Sequence, residues 1–142
     1  MVSVASLEPS AEKIGFLMNA EIEISNGVWA AKKKRTFTIK SGRNRFTVTL
    51  ELDISFSAFR ADGTALNKAE ILLNPDEFPC FSSALRQHRI SFPTNYSQRL
   101  TMDPGIYSVQ LESRELPEEF AERLAYALHV IDGTGTEEMD AV

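Results

Sequence analysis

Between Phe46 and Phe56 the chain alternates apolar and polar residues without interruption. Phe46, Val48, Leu50, Leu52, Ile54 and Phe56 occupy one parity; Thr47, Thr49, Glu51, Asp53 and Ser55 occupy the other. A period of two presents one face to a core and the other to water, the pattern of a half-buried strand. Two upstream segments lead into it. Asn26-Gly27 tolerates the positive φ angles of a two-residue hairpin turn, and Ser41-Gly42-Arg43-Asn44 marks a second turn. Val28 to Lys40 lies between the turns, with Trp29, Ala31, Phe37 and Ile39 on one parity. Lys33 and Arg35 share that parity, which predicts a bulged or exposed middle. From Lys13 to Ser25, Ile14, Phe16, Met18, Ala20, Ile22 and Ile24 also fall at every second position, with Leu17 as the exception. The alternation predicts a long strand. The competing reading is a short helix over Pro9 to Asn19 followed by a strand from Ala20.

Further along, Ala61-Asp62-Gly63-Thr64 reads as a turn, and Ala65 to Leu73 fits a strand or a short helix. Asn74-Pro75-Asp76-Glu77 has the form of a helix start. Phe78, Phe81, Leu85 and His88 follow at helical spacing, with Pro79 predicting an irregular first turn or a later start. Leu100 to Leu111 reads as two strands about Pro104-Gly105. Leu116, Phe120, Leu124, Leu128 and Ile131 form the stripe of an amphipathic helix, with Gly133 as its expected stop. The fold expected is α+β: a twisted antiparallel sheet, made of an N-terminal three-stranded meander plus a C-terminal hairpin, with two helices. The alternative is a β-sandwich with a C-terminal helix. Residues 1–132 are expected to form one globular domain and residues 133–142 a disordered acidic tail.

The 142 residues suffice for a core without staples, and the single cysteine, Cys80, excludes an intrachain disulfide. No apolar run is long enough for a membrane-spanning helix, and the first ten residues lack the pattern of a secretory signal. With a lone thiol, this leads us to expect a small cytoplasmic protein. Net charge is −5, but it is unevenly spread. Lys32, Lys33, Lys34, Arg35, Lys40, Arg43 and Arg45 cluster in a window from Ile24 to Leu50 that has no Asp or Glu, whereas the segment from Glu112 onward is strongly acidic.

The basic hairpin is therefore the first candidate binding surface, for protein or for nucleic acid. Its cations could follow a phosphate backbone while Trp29, Phe37 and Phe46 stack on bases. A solvated edge strand, or balance against the acidic C-terminal segment, explains the same residues. A second candidate interface is Arg86, Arg89, Phe92, Tyr96 and Arg99, where aromatic rings lie among arginines. Cys80 lies in an apolar setting typical of a buried, inert thiol, eight residues from His88 and out of its reach on one helix. Glu118, Glu119 and Glu122 are accounted for by a solvated helix N-terminus, and His129 by the other end of that helix. No nucleotide, zinc or nucleophile-elbow motif is present. The reading is a non-catalytic protein-binding protein with no metal or cofactor: an adaptor, an inhibitor or immunity-type protein, or an assembly component, of a prokaryote or phage. Its partner would carry an acidic surface, with no membrane partner. The alternative is a nucleic-acid-binding module using the same hairpin, and homo-oligomers are compatible with the exposed edges of a meander.

Overall fold

A computed structural model describes residues 4–140, with side chains described outside 4–8, 39–41 and 133–140. The chain forms a mixed α+β fold: one six-stranded antiparallel sheet with three helices. The order along the chain is α1 (Val4–Met18), β1 (Glu21–Ser25), β2 (Val28–Ser41), β3 (Asn44–Ser57), β4 (Ala65–Leu73), α2 (Phe78–Gln87), β5 (Ser97–Asp103), β6 (Ile106–Glu115) and α3 (Pro117–Asp140). The strands lie in the order β1-β2-β3-β4-β6-β5. There is one sheet rather than the two of a sandwich. The meander has four strands, and among the described residues helices number three rather than two.

The core lies between one face of the sheet and the helices. Trp29, Leu52, Ile54, Phe56, Ile71, Leu73 and Val109 point into it from the strands, and Ile14, Met18, Phe81, Leu85, Phe120, Leu124 and Leu128 from the helices. The other face is polar, as expected for an antiparallel sheet covered on one side. Ala65 to Leu73 is a strand, with Ala65, Asn67, Ala69, Ile71 and Leu73 all buried. The expected hairpins form on their turns. Asn26 and Gly27 take φ of 53° and 74°, as a type I′ turn requires, and Gly105 takes 86° after Pro104.

The segment from Lys13 is where the alternation misleads. It is helical to Met18, and the strand begins only at Glu21. Ala11, Ile14 and Met18, at spacings of three and four, fill the core, while Phe16 is 87% exposed. The helix closes as a Schellman motif. Asn19 adopts φ 50°, its N–H donates to the Phe16 carbonyl, and the Ala20 N–H donates to the Gly15 carbonyl. Gly15 permits the sharp return: a Cβ there would sit 3.0 Å from the Ala20 carbonyl oxygen and 3.3 Å from Ile22.

Asn74 opens a single 3-10 turn, Pro75–Glu77, whose Glu77 side chain accepts the Asn74 N–H at 2.9 Å, and α2 proper starts at Phe78. Cys80 is exposed, not buried as its apolar neighbours suggest, because α2 turns Phe81, Ala84 and Leu85 inward instead. α3 runs through Gly133 to Asp140 and so does not stop at the glycine. The side chains of 133–140, and residues 141 and 142 of the expected tail, lie outside the described residues.

Gly15→Val should lower stability by about 1–3 kcal/mol, the usual cost of overpacking, because the Ala20 carbonyl, held by the helix-closing turn, cannot retreat. Urea denaturation at neutral pH measures it.

Candidate functional site

β2 and β3 are longer than their neighbours. β1 pairs with β2 only from Val28 to Lys32, and β4 pairs with β3 only from Asp53 to Ser57. Beyond these limits, Lys33–Ser41 and Asn44–Leu52 form a two-stranded arm of roughly 25–30 Å at strand rise, with no further strand on either edge among the described residues. The register of the arm is constant, from Lys33↔Leu52 to Ser41↔Asn44, and Gly42 (φ 63°) makes the turn. At its root the ladder is interrupted. Trp29↔Phe56 and Ala30↔Ser55 pair, but pairing resumes only at Lys33↔Leu52. A small opening lined by Ala31, Lys32, Leu52 and Asp53 occupies the gap.

The seven basic residues of this segment do not form one surface. Lys32 and Lys34 are exposed on the polar face, with Lys32 3.8 Å from Glu23. Arg43 and Arg45 are exposed at the tip, and Lys40 is in register with Arg45. Lys33 and Arg35 point the other way. Lys33 Nζ donates to the Met18 carbonyl at 2.9 Å, closing the end of α1.

Arg35 is buried rather than bulged out or exposed, its side chain 5% accessible. Its Nη2 donates to Glu77 at 2.8 Å, its Nη1 to the Leu72 carbonyl at 2.8 Å, and its Nε to Asp132 at 3.2 Å. The guanidinium also lies 4.8 Å from the centre of the Phe37 ring. Trp29 and Phe37 are core residues, whereas Phe46, expected to face the core, is 51% exposed near the tip.

The second candidate stretch folds back on the protein. Phe92 and Tyr96 stack at 3.9 Å and pack against the core cluster. Burial pushes the Tyr96 hydroxyl well above the usual range for a phenol. Arg89 pairs with Glu122 at 2.7 Å, Arg86 donates to Ser82, and Arg99 is exposed on β5 opposite Gln110. Beneath the rings lies a pair that sequence reading did not single out. Arg123, on α3, donates to both carboxylate oxygens of Glu115 at the end of β6, and to the Ile90 and Ser91 carbonyls. Phe92 covers its guanidinium at 5.0 Å. Two signals for such pairs were present in the sequence: Arg35 on the apolar parity of β2, and Arg123 beside Leu124 and three residues after Phe120.

His88 is held between α2 and α3. Its Nδ1 accepts the Ile90 N–H at 3.1 Å, its Nε2 lies 3.5 Å from Glu122, and Tyr126 packs at 5.2 Å. Burial lowers its pKa, against the opposing pull of Glu122. His129 is exposed.

Replacing Arg35 by Met leaves Glu77 without its cation and should cost about 3 kcal/mol or more. Lys34→Met should stay within about 0.5 kcal/mol, and chemical denaturation of the two variants separates the structural cation from the surface one. His88 binds its proton more weakly folded than unfolded. Its contribution to stability is complete above about pH 6.5, the unperturbed value, and is lost as the pH falls below it through the lower folded-state value. Denaturation at about pH 7.5 and about pH 5.5 should therefore show a loss in the parent protein that is smaller in His88→Asn. No protein-family model, no curated protein and no solved structure matches this chain, so its candidate site is read from its own geometry and charge.

Proposed function

We propose that the protein is a non-catalytic binding protein that docks an acidic protein surface on its β2–β3 arm, as an adaptor, inhibitor or assembly component. The observation that carries this reading is the arm itself. Two strands continue past both neighbours and display Lys34, Arg43 and Arg45 to solvent, with Lys32 exposed at the root where β1 ends. Backbone groups along an unpaired strand edge invite pairing with another chain, and cations around it steer an acidic one. Lys33 and Arg35 are excluded from the docking surface because they hold the fold. Phe46, exposed beside Arg45, supplies the apolar anchor that a charged rim alone lacks. The Arg86–Arg99 stretch contributes Arg99 and Arg86 at most, since Phe92 and Tyr96 are packed.

Phe46 also supports the second reading, a nucleic-acid module, as a ring available for stacking beside two arginines. Trp29 and Phe37, the other two rings, are buried.

Lys32→Glu/Lys34→Glu should abolish capture of an acidic partner while leaving thermal stability within the range of surface substitutions, about 0.5 kcal/mol. Pull-down with parent and variant protein side by side measures this. Equal capture by both would sink the protein-docking reading on this face. Fluorescence anisotropy of single-stranded DNA, duplex DNA and RNA, at low salt and near ~0.2 M, tests the second reading. Binding that survives the higher salt and falls in the variant would replace the first reading with it.

A further inference from the structure

The two free edges of the arm differ in chemistry. Along β2 the edge begins with Lys33-Lys34-Arg35, and such charges discourage the addition of another strand. Along β3 the segment from Phe46 to Leu50 reads Phe-Thr-Val-Thr-Leu, with no charge, glycine or proline. Its β-branched and aromatic content suits a strand, and nothing in its composition blunts the edge. Phe46, Thr47 and Thr49 are exposed and Val48 and Leu50 half-buried.

Charge along β3 selects what occupies that edge. Arg43 and Arg45 stand at the tip, and Glu51 and Asp53 stand at the root, all four exposed. Glu70 of β4 adds a further carboxylate opposite Asp53. About Val48 the strand is nearly self-complementary. Thr47 and Thr49 flank it at one residue, Phe46 and Leu50 at two, and Arg45 and Glu51 at three.

We infer that two copies of this chain form a symmetric dimer in which their β3 strands pair antiparallel about Val48, joining the two sheets into one. In that register Thr47 faces Thr49, Phe46 faces Leu50 and Arg45 faces Glu51, each contact occurring twice by symmetry. Arg43 of each copy also approaches Asp53 of the other. Cross-strand Thr–Thr, aromatic–aliphatic and opposite-charge pairs are each favourable. Parallel pairing in register would set Arg45 on Arg45 and Glu51 on Glu51, which is not. A two-fold interface uses one patch on both partners, so a self-complementary strand is what it requires. Main-chain hydrogen bonds along the new ladder provide affinity, and the side-chain pairs provide register. The seam takes Phe46, Arg43 and Arg45 of each copy, so in the dimer the surface left to an acidic partner is Lys32 and Lys34 on β2.

Analytical ultracentrifugation tests this, at low salt and over concentrations from about 1 μM to ~0.2 mM, a range suited to a small interface. The parent protein should move from 15.9 kDa toward twice that mass. Arg45→Glu and Glu51→Arg should each weaken association roughly 10-fold or more, because two attractive cross-strand pairs become repulsive. Arg45→Glu/Glu51→Arg together should restore it. Lys32→Glu/Lys34→Glu should leave association unchanged, which separates this interface from acidic-partner docking. A monomer at every concentration, a dimer indifferent to both single substitutions, or no recovery in the double variant would each overturn the inference.

Discussion

The structure depends on where one guanidinium is placed. β3 leaves β4 at Asp53, while β4 continues to Leu73 beside β6. Where the two strands part, the Leu72 carbonyl has no partner across the gap from β3, and Arg35 reaches it from β2. The same side chain binds Glu77, ahead of α2, and Asp132 on α3. One residue thus ties the arm to the helical layer. Removing a cation from water is costly, and the cost is offset only when carboxylates and carbonyls take every donor. Each nitrogen of the Arg35 guanidinium donates to a carboxylate or a carbonyl, with Phe37 against its face. The arm can therefore outrun its neighbouring strands and still begin from a fixed base.

Arg123 plays the equivalent part at the other end of the core. It joins the last residue of β6 to α3 and, through the Ile90 and Ser91 carbonyls, holds the loop between α2 and β5. Glu115 is held in turn by the Ser113 hydroxyl, and its backbone carbonyl accepts from Asn67. Bidentate arginine–carboxylate pairing fixes orientation as well as distance, which is what a loop without regular structure lacks. The aromatic residues of that loop then serve as a lid over the pair rather than as contacts for another molecule.

How much of this was legible in the sequence follows from the range over which each signal acts. The alternation of β3, the turns at Asn26-Gly27 and Pro104-Gly105 and the stripe on α3 are local; the strand, turns and helix form where the pattern places them, while Phe46 and Leu116, at the ends of the two apolar runs, are exposed. The start of the chain failed because Ile14 and Met18 satisfy both a period of two and a spacing of four. Only the helix-closing geometry at Asn19 and Ala20 decides between them. The basic hairpin was legible only in part, for a different reason. Composition counts Arg35 with Lys34, whereas alternation puts them on opposite faces. Only the distant Glu77 and Asp132 reveal that the inward one is paired. Cys80 was misplaced because apolar neighbours in sequence are not neighbours on a helix.

With all three helices on one side, the sheet has a face that packs against nothing described. Lys34, Thr49, Asp53, Lys68, Glu70 and Glu112 each stand there in water, alternating with residues of the core. Exchanging such side chains costs little folding energy, whereas exchanging their immediate neighbours in sequence costs much. β2, β3, β4 and β6 thus interleave two separate records: one position constrained by the fold, the next open to drift. A lineage carrying this scaffold could rewrite the charge pattern of the whole face while its core stayed the same.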